Sequence, residues 1–438
     1  MNDFIPFIPW IGGLIGLASL IAGLRANRRK RLLQNLPTSK TTGVFIGLVE
    51  LKGSAESEAP LTSHLTGARC VHYRWSVDEH WSRTVTETYT DSDGKMRTRT
   101  RHESGWKTVA AGDESQPFYL QDDAGAVLVQ PAGAKLEPAC IFSETCGRTD
   151  PLYYGKGPAA GIMDSDHRRR FTEHAIPLHH EVYLVGRARE RADVVAPEIA
   201  ADDDAAMFLI STKSEKQVTS GFAFAAWGWT FFGLIATVGS MVGFDAARNI
   251  DPADRIAGYA GLTAGFTLLW SIGWVWTVFN SLIDLRNRVR QAWSQVDVQL
   301  KRRHDLIPNL VNVVNALKDH ERQVQTEITQ MRTQQEATAP GETGPEFSGL
   351  GNALIALQEK YPELKTATAF LDLQQKLADA ENRIALARDY FNSIATHFNT
   401  RLEQIPDRFI AMLGTLKPRP LLNAADFERQ AVTVNFAD

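Results

Sequence analysis

The stretch Gly221-Phe-Ala-Phe-Ala-Ala-Trp-Gly-Trp-Thr230-Phe-Phe-Gly-Leu-Ile-Ala-Thr-Val-Gly-Ser240-Met-Val-Gly-Phe244 carries no charged residue, and a second uncharged run, Ile256 to Ile283, follows after a short polar turn. Crossing roughly 30 Å of hydrocarbon takes about 20 helical residues. Both runs are long enough, so the pair predicts a helical hairpin in a membrane. A third run, Phe4 to Leu24, opens the chain. A signal peptide carries its positive charge ahead of the apolar run, whereas here Met1-Asn2-Asp3 precedes it and Arg25-Ala-Asn-Arg28-Arg29-Lys30-Arg31 follows. The first run therefore reads as an uncleaved anchor.

The flanking cations set an expected orientation. Five basic residues from Arg25 to Arg31, then Lys213 and Lys216, then Arg286, Arg288 and Arg290 collect on one side. The other side has only Arg248 and Arg255, diluted by Asp245, Asp251 and Asp254. Basic loops stay cytoplasmic. The N-terminus is thus expected outside, with Arg25 to about Ser220 and Asp284 onward in the cytoplasm. Trp227, Trp229, Trp274 and Trp276 fall at that same interface, as an aromatic belt does. Each run also holds a Gly-x-x-x-Gly pair: Gly12 and Gly16, Gly239 and Gly243, Gly261 and Gly265. Such pairs let helix backbones approach closely, either within one chain or between copies in a homo-oligomer.

At 438 residues the chain is too long for one core. Its net charge of −4 gives no basic face that would select nucleic acid, so the bilayer and unnamed proteins are the expected partners. Cys70, Cys140 and Cys146 are few, odd in number and far apart, which excludes a disulfide framework. No Cys-x-x-Cys pair exists, which excludes a RING, a zinc ribbon or a thioredoxin-like motif. No cofactor, metal or catalytic set is expected. Four parts follow: an anchor with its basic flank (1–37), a soluble domain (38–220), the membrane hairpin (221–283) and a C-terminal domain (284–438).

The soluble domain reads as strands. Gly43 to Lys52, Cys70 to Val77, Ala126 to Gln130, Glu181 to Gly186 and Met207 to Ile210 are short runs rich in β-branched and aromatic residues, and Asp91-Ser-Asp-Gly94 reads as a hairpin tip. A mostly antiparallel β domain is expected. His179 and His180 are adjacent, so in a strand they point to opposite faces and cannot share a metal. Gly155-Lys-Gly157 to Gly161 lacks phosphate-loop spacing and reads as a plain loop. Gly47-Leu-Val-Glu50, Pro60-Leu-Thr-Ser63, Cys70-Val-His-Tyr73, His174-Ala-Ile-Pro177 and Phe208-Leu-Ile-Ser-Thr-Lys-Ser-Glu215 give this domain a resemblance to the GIDE domain. That resemblance implies a membrane-adjacent domain of the kind found in a mitochondrial ubiquitin ligase. In that ligase transfer depends on a separate RING, whose paired cysteines this chain lacks.

After Ile283 the apolar period becomes helical. Leu282, Leu285, Val289, Trp293, Val296 and Leu300 begin the stripe, with no breaker between it and the third apolar run, and it reads as one helix to about Gln335 followed by a shorter helix from Glu346 to Lys360. Farther on, Phe370, Leu377, Ile384, Phe391, Phe398 and Ile405 recur every seven residues, with Leu373, Ala380, Ala387 and Ile394 between them. That seam predicts a supercoiled antiparallel bundle. Arg302-Arg303-His304-Asp305-Leu-Ile-Pro308-Asn309 interrupts the stripe, and Pro308 removes a helical hydrogen bond, which predicts a kink. With Glu381 and Arg388 from the returning helix, these residues are expected to form a buried polar layer or a partner-binding groove.

That segment resembles the LemA family, through Ala292-Trp293, Asp297-Val-Gln-Leu300, the Arg302 to Asn309 core, Tyr361-Pro-Glu-Leu-Lys365, Glu381-Asn-Arg-Ile384, Tyr390-Phe-Asn392 and Phe398-Asn399. The resemblance implies a membrane-anchored helical bundle in bacteria without an established enzymatic activity. The expectation is a multi-domain α+β protein of the bacterial inner membrane, with three transmembrane helices, a GIDE-like β domain and a LemA-like bundle, acting as a non-enzymatic scaffold. If Arg303 and His304 only fix register, replacing both by leucine should leave stability unchanged or raise it by roughly 1–4 kcal/mol. Loss of partner capture by a folded variant in crosslinking pull-downs would instead mark a groove.

Overall fold

The computed structural model describes residues 6–90, 95–191, 196–203, 205, 207–317 and 368–422. Within them, 303–304, 307–317, 368–370, 373–374 and 377 are described by backbone alone. The chain divides into a strand unit, Thr38–Val218, and a helical unit made of Met1–Pro37 and Thr219–Asp438. The helices are α1 (Ile8–Gln34), α2 (Pro151–Gly155), α3 (Glu215–Ala247), α4 (Ile256–Leu317), α5 (Thr368–Glu403) and α6 (Asp407–Leu413). The strands are β1 (Thr38–Ser39), β2 (Gly47–Glu56), β3 (Leu61–Thr62), β4 (Arg69–Thr90), β5 (Met96–Ser115), β6 (Phe118–Gln121), β7 (Ala126–Val129), β8 (Lys135–Glu137), β9 (Ala139–Gly147), β10 (Ser165–Pro177), β11 (Glu181–Glu190), β12 (Pro197–Ala200) and β13 (Leu209–Ser211).

In the strand unit, β2, β6, β7, β12 and β11 pair in sequence, and β11 pairs back onto β2, so the sheet closes on itself. Closure removes the open edges that a sheet of short strands would expose. Val49, Leu51, Leu120, Val129, Leu184 and Ile199 alternate inward and fill the interior. Most pairings are antiparallel, but β1–β2, β7–β12 and β8–β13 are parallel. The second sheet runs β3-β4-β10-β9, with β5 on β4. Its ribbon β4–β5 stays paired from His72–Ser115 to Thr90–Met96, well past the last β10 partner at Trp81. The expected hairpin tip, Asp91 to Gly94, lies outside the described residues.

The loop after α2 has a structural task. Arg169 on β10 and Glu79 on β4 are wholly buried and paired through two guanidinium nitrogens at 2.9 and 3.1 Å. The remaining guanidinium hydrogens go to the carbonyls of Tyr153, Pro158 and Ala160 at 2.7–3.1 Å. Tyr153 stacks beneath the cation at 3.9 Å. Burial pushes the Glu79 carboxyl up, but donation from Ser165 and Arg169 holds it below the usual range. The glycine-rich segment thus wraps a cation with its backbone oxygens.

In the helical unit, α1, α3 and α4 each contain a segment long and apolar enough to cross a membrane. They expose large apolar side chains such as Leu14, Phe224, Ile235, Leu268 and Ile272. The third apolar run continues without a break into the C-terminal segment: α4 has 62 residues, about 93 Å at 1.5 Å each. Pro308 lies inside α4 and does not end it. The stretch expected to extend this helix to about residue 335, and the short helix expected near 346–360, lie outside the described residues. From Leu282 to Val296 the buried positions are 282, 285, 289, 292 and 296, so Ala292 takes the seam place expected for Trp293, which lies half-buried beside it and meets Phe391 edge-on at 5.3 Å. On α5, Ala380, Ile384, Ala387, Phe391, Ile394 and Phe398 are buried at the expected spacing. Ile405 departs from it. The helix ends at Glu403, so this last seam position falls in a turn and is 72% exposed.

Arg169→Met leaves Glu79 buried without its cation and should destabilise the strand unit by about 3–5 kcal/mol. The double change Arg169→Met, Glu79→Leu should recover most of that loss. Hydrogen exchange of β4 and β10 in the full chain measures both.

Candidate functional site: an ionic junction and a side-chain clasp

The glycines of the first apolar run are committed within the chain. A side chain at Gly12 would collide with Ser240 and the Ala236 carbonyl, one at Gly16 with Thr237, and one at Gly23 with Thr230. The buried positions on α1 include Gly12, Gly16, Ser19, Gly23 and Ala26, a heptad pattern of small residues. Their counterparts on α3 are Ser240, Thr237, Gly233, Thr230 and Ala226, spaced alike in the reverse direction. Small side chains bring backbones close where lipid-like surroundings supply no hydrophobic drive. Gly239, Gly243, Gly261 and Gly265 face open space. The sequence signal for this seam was the seven-residue repeat of small residues, not the isolated Gly-x-x-x-Gly pair.

Where α1 turns basic, a buried ionic junction ties the two ends of the chain together. Asp407, the first residue of α6, is 5% exposed. Its carboxylate accepts from Arg31 of α1 at 3.3 and 3.4 Å and from Arg401 Nε of α5 at 2.5 Å, with a second Arg401 nitrogen also paired to it. Arg401 further donates to Asn35 Oδ1 at 2.6 Å, and Asn35 Nδ2 donates to Ser281 Oγ of α4 at 2.8 Å. His397 Nε2–H donates to the Gln34 carbonyl at 2.6 Å. Arg31 also lies 5.6 Å over the Trp274 ring. Val278, Leu282, Ile410 and Ala411 pack as an apolar cluster in the same α4–α6 contact.

Beside the junction, two asparagines hold the chain that leaves α6. Asn392 donates to the Leu422 carbonyl and accepts from the Leu422 N–H, both at 2.8 Å. Asn399 does the same with Arg419, again at 2.8 Å. Seven helical residues rise about 10.5 Å, and three extended residues span about 9–10 Å, so the two clasps share one register. Pro418 and Pro420 lack N–H groups and favour the extended form. Both asparagines stood among the motif residues, but only contact with the tail gives them a role.

The expected polar layer is seen in part. Positions 302–309 are helical within α4, but the side chains of Arg303, His304, Pro308 and Asn309 lie outside the described residues. Arg302 and Asp305 are exposed, and Glu381 and Arg388 are half-buried. In the strand unit, Cys70 is buried and its thiol is pushed up to about 11 by desolvation, the reverse of an activated nucleophile. Glu50 is buried between Thr38 and Tyr183, whose hydroxyls donate to it at 2.7 and 2.9 Å, and burial raises its carboxyl above the usual range. Among the described residues, no three histidine, cysteine or acidic side chains come together to hold a metal.

The fold is therefore that of a multi-helix protein with three apolar helices and a separate closed-sheet unit. The LemA family model matches residues 292–436, and the GIDE model, described as E3 ubiquitin ligase, matches residues 86–243, so LemA and GIDE domains are both present. Protein LemA of Metamycoplasma hominis is 24% identical over 155 residues, covering 34% of this chain and 71% of that one. Magnetosome protein MamQ of Magnetospirillum gryphiswaldense is 24% identical over 171 residues, covering 32% of this chain and 62% of that one. Magnetosome protein MamQ 2 of Paramagnetospirillum magneticum is 22% identical over 171 residues with the same coverage. The match thus spans less than two thirds of the MamQ chains.

Asp407→Ala leaves Arg31 and Arg401 facing each other without a carboxylate. It should destabilise the helical unit by about 3–5 kcal/mol. Thermal unfolding of the detergent-solubilised full chain reads the loss.

Proposed function

We propose that the chain is a non-enzymatic, membrane-anchored scaffold of the LemA type, whose three apolar helices span a bacterial inner membrane and whose soluble domains face the cytoplasm. The ionic junction carries this reading: Arg31 at the end of the first apolar helix is fastened to Arg401 and Asp407 of the LemA segment. Helices built for lipid and helices built for water therefore form one unit. Large exposed side chains on α1, α3 and α4 need an apolar surrounding, and a bilayer supplies it. The LemA and MamQ relatives support the same class, and the C-terminal helices act as an antiparallel bundle that presents protein or lipid contacts. The glycines facing open space on α3 and α4 offer surfaces for self-association.

One observation favours a second reading. The match to a model described as E3 ubiquitin ligase points to ubiquitin transfer. Against it stand the missing Cys-x-x-Cys pairs and the raised Cys70 thiol. Transfer of ubiquitin by the purified chain, lost on changing Cys140, the exposed cysteine, would favour the ligase.

Cys140 also reports the side of the membrane, because Cys70 and Cys146 are buried. A membrane-impermeant maleimide should label it in permeabilised cells and leave it untouched in intact spheroplasts. Labelling in intact spheroplasts would put the strand unit outside.

A further inference from the structure

A cleft of about 470 Å³ opens between α1 and α4, and nothing in the scaffold reading uses it. Ile21, Leu24, Arg25 and Trp276 line the cleft toward the start of both helices, and Arg28, Asp284 and Arg288 line it farther along. The floor exists because Gly273 has no side chain, and Leu24 leans over it. The two helices run parallel here, with Leu24 beside Gly273 and Asn35 bonded to Ser281. Both therefore pass from apolar to basic in the same direction, and the cleft inherits that gradient. Among its lining residues Asp284 is the one carboxylate against three guanidinium groups. Arg25 and Arg28 have no hydrogen-bond or ion-pair partner among the described residues, in contrast to Arg31 and Arg401 nearby, and Arg288 stands within the field of Asp284 and Tyr390.

We propose that this cleft binds the headgroup of an anionic phospholipid. The phosphodiester sits between Arg28 and Arg288, and an acyl chain descends past Arg25, Trp276 and Leu24 toward Ile21. Guanidinium groups match phosphate oxygens with forked N–H donors. A tryptophan at the headgroup level suits a side chain with an apolar body and a polar edge. An inorganic phosphate would use the cations but leave the apolar end empty. The charge and the gradient together select a lipid. This proposal rests on the reading of α1 and α4 as membrane-spanning helices.

The test is native mass spectrometry of the detergent-solubilised full chain, titrated with phosphatidylglycerol, with phosphatidylcholine and with inorganic phosphate. Phosphatidylglycerol should be retained at a concentration about tenfold below phosphatidylcholine. Arg28→Gln with Arg288→Gln should weaken phosphatidylglycerol retention by about thirtyfold, and phosphate should not compete. Arg29→Gln with Lys30→Gln removes the same charge outside the lining residues and should retain the lipid as the parent does. Equal retention of both lipids, equal loss in the two variants, or displacement by phosphate would overturn the proposal. Alkaline carbonate extraction of native membranes separates the two readings. Release of the chain sinks the membrane reading and the lipid site with it, whereas a chain that stays in the pellet but discriminates no lipid sinks the site alone.

Discussion

A single buried carboxylate, Asp407, holds the helical unit together by standing between two guanidinium groups. Arg31 comes from the first apolar helix and Arg401 from the last long one, so the contact joins residues 376 apart in sequence. Taking such charges out of water costs several kcal/mol per ion unless each is paired and hydrogen-bonded. The junction meets that demand with Asn35, Ser281 and the Trp274 ring, each from an element that has to be in place for the pairing to form. The interaction is thus less a source of stability than a condition on assembly: the anchor, α4, α5 and α6 satisfy it together.

Two kinds of helix contact meet at that junction, and they differ in their side chains. Along α1 and α3 the buried seam is Gly, Ser, Thr and Ala, which allows backbone-to-backbone contact. Seams of this composition suit helices that pack in hydrocarbon, where covering a leucine brings no hydrophobic gain. Along α4 and α5 the seam is Leu, Val, Ile and Phe with alanines between them. Water drives that burial, at roughly 25 cal/mol per Å² of apolar surface. One helix, α4, contains both an apolar segment and part of the leucine-rich seam, so its composition changes along its length.

The strand unit follows the same economy of buried charge. Arg169 and Glu79 face each other across β4 and β10, and the guanidinium is completed by carbonyls of α2 and of the loop that follows it. Glu173, also buried, is pushed up by desolvation but held below its usual range by N–H groups of Leu65 and Thr66 and the hydroxyls of Thr66 and Ser63. In both cases a strand residue organises a glycine- or serine-containing loop by binding its backbone. Loops of this kind look featureless in sequence because the groups that matter are peptide atoms, common to every residue.

Amino-acid order alone determined what depends on local period and composition. It gave the three apolar runs, the passage of the third into a long helix, the heptad on α5, the strand-rich middle and the motifs of the two families. These are legible because solvent preference and backbone period act over a few neighbouring residues. Tertiary structure alone decided what depends on distant partners. It closed β11 onto β2, placed the second sheet's β9 and β10, set Asp407 between Arg31 and Arg401, and laid the tail on Asn392 and Asn399. It also moved Ile405 out of the seam, because the helix had already ended. Charge pairing and side-chain-to-backbone contact carry no period, so their partners are fixed only when the whole chain has folded.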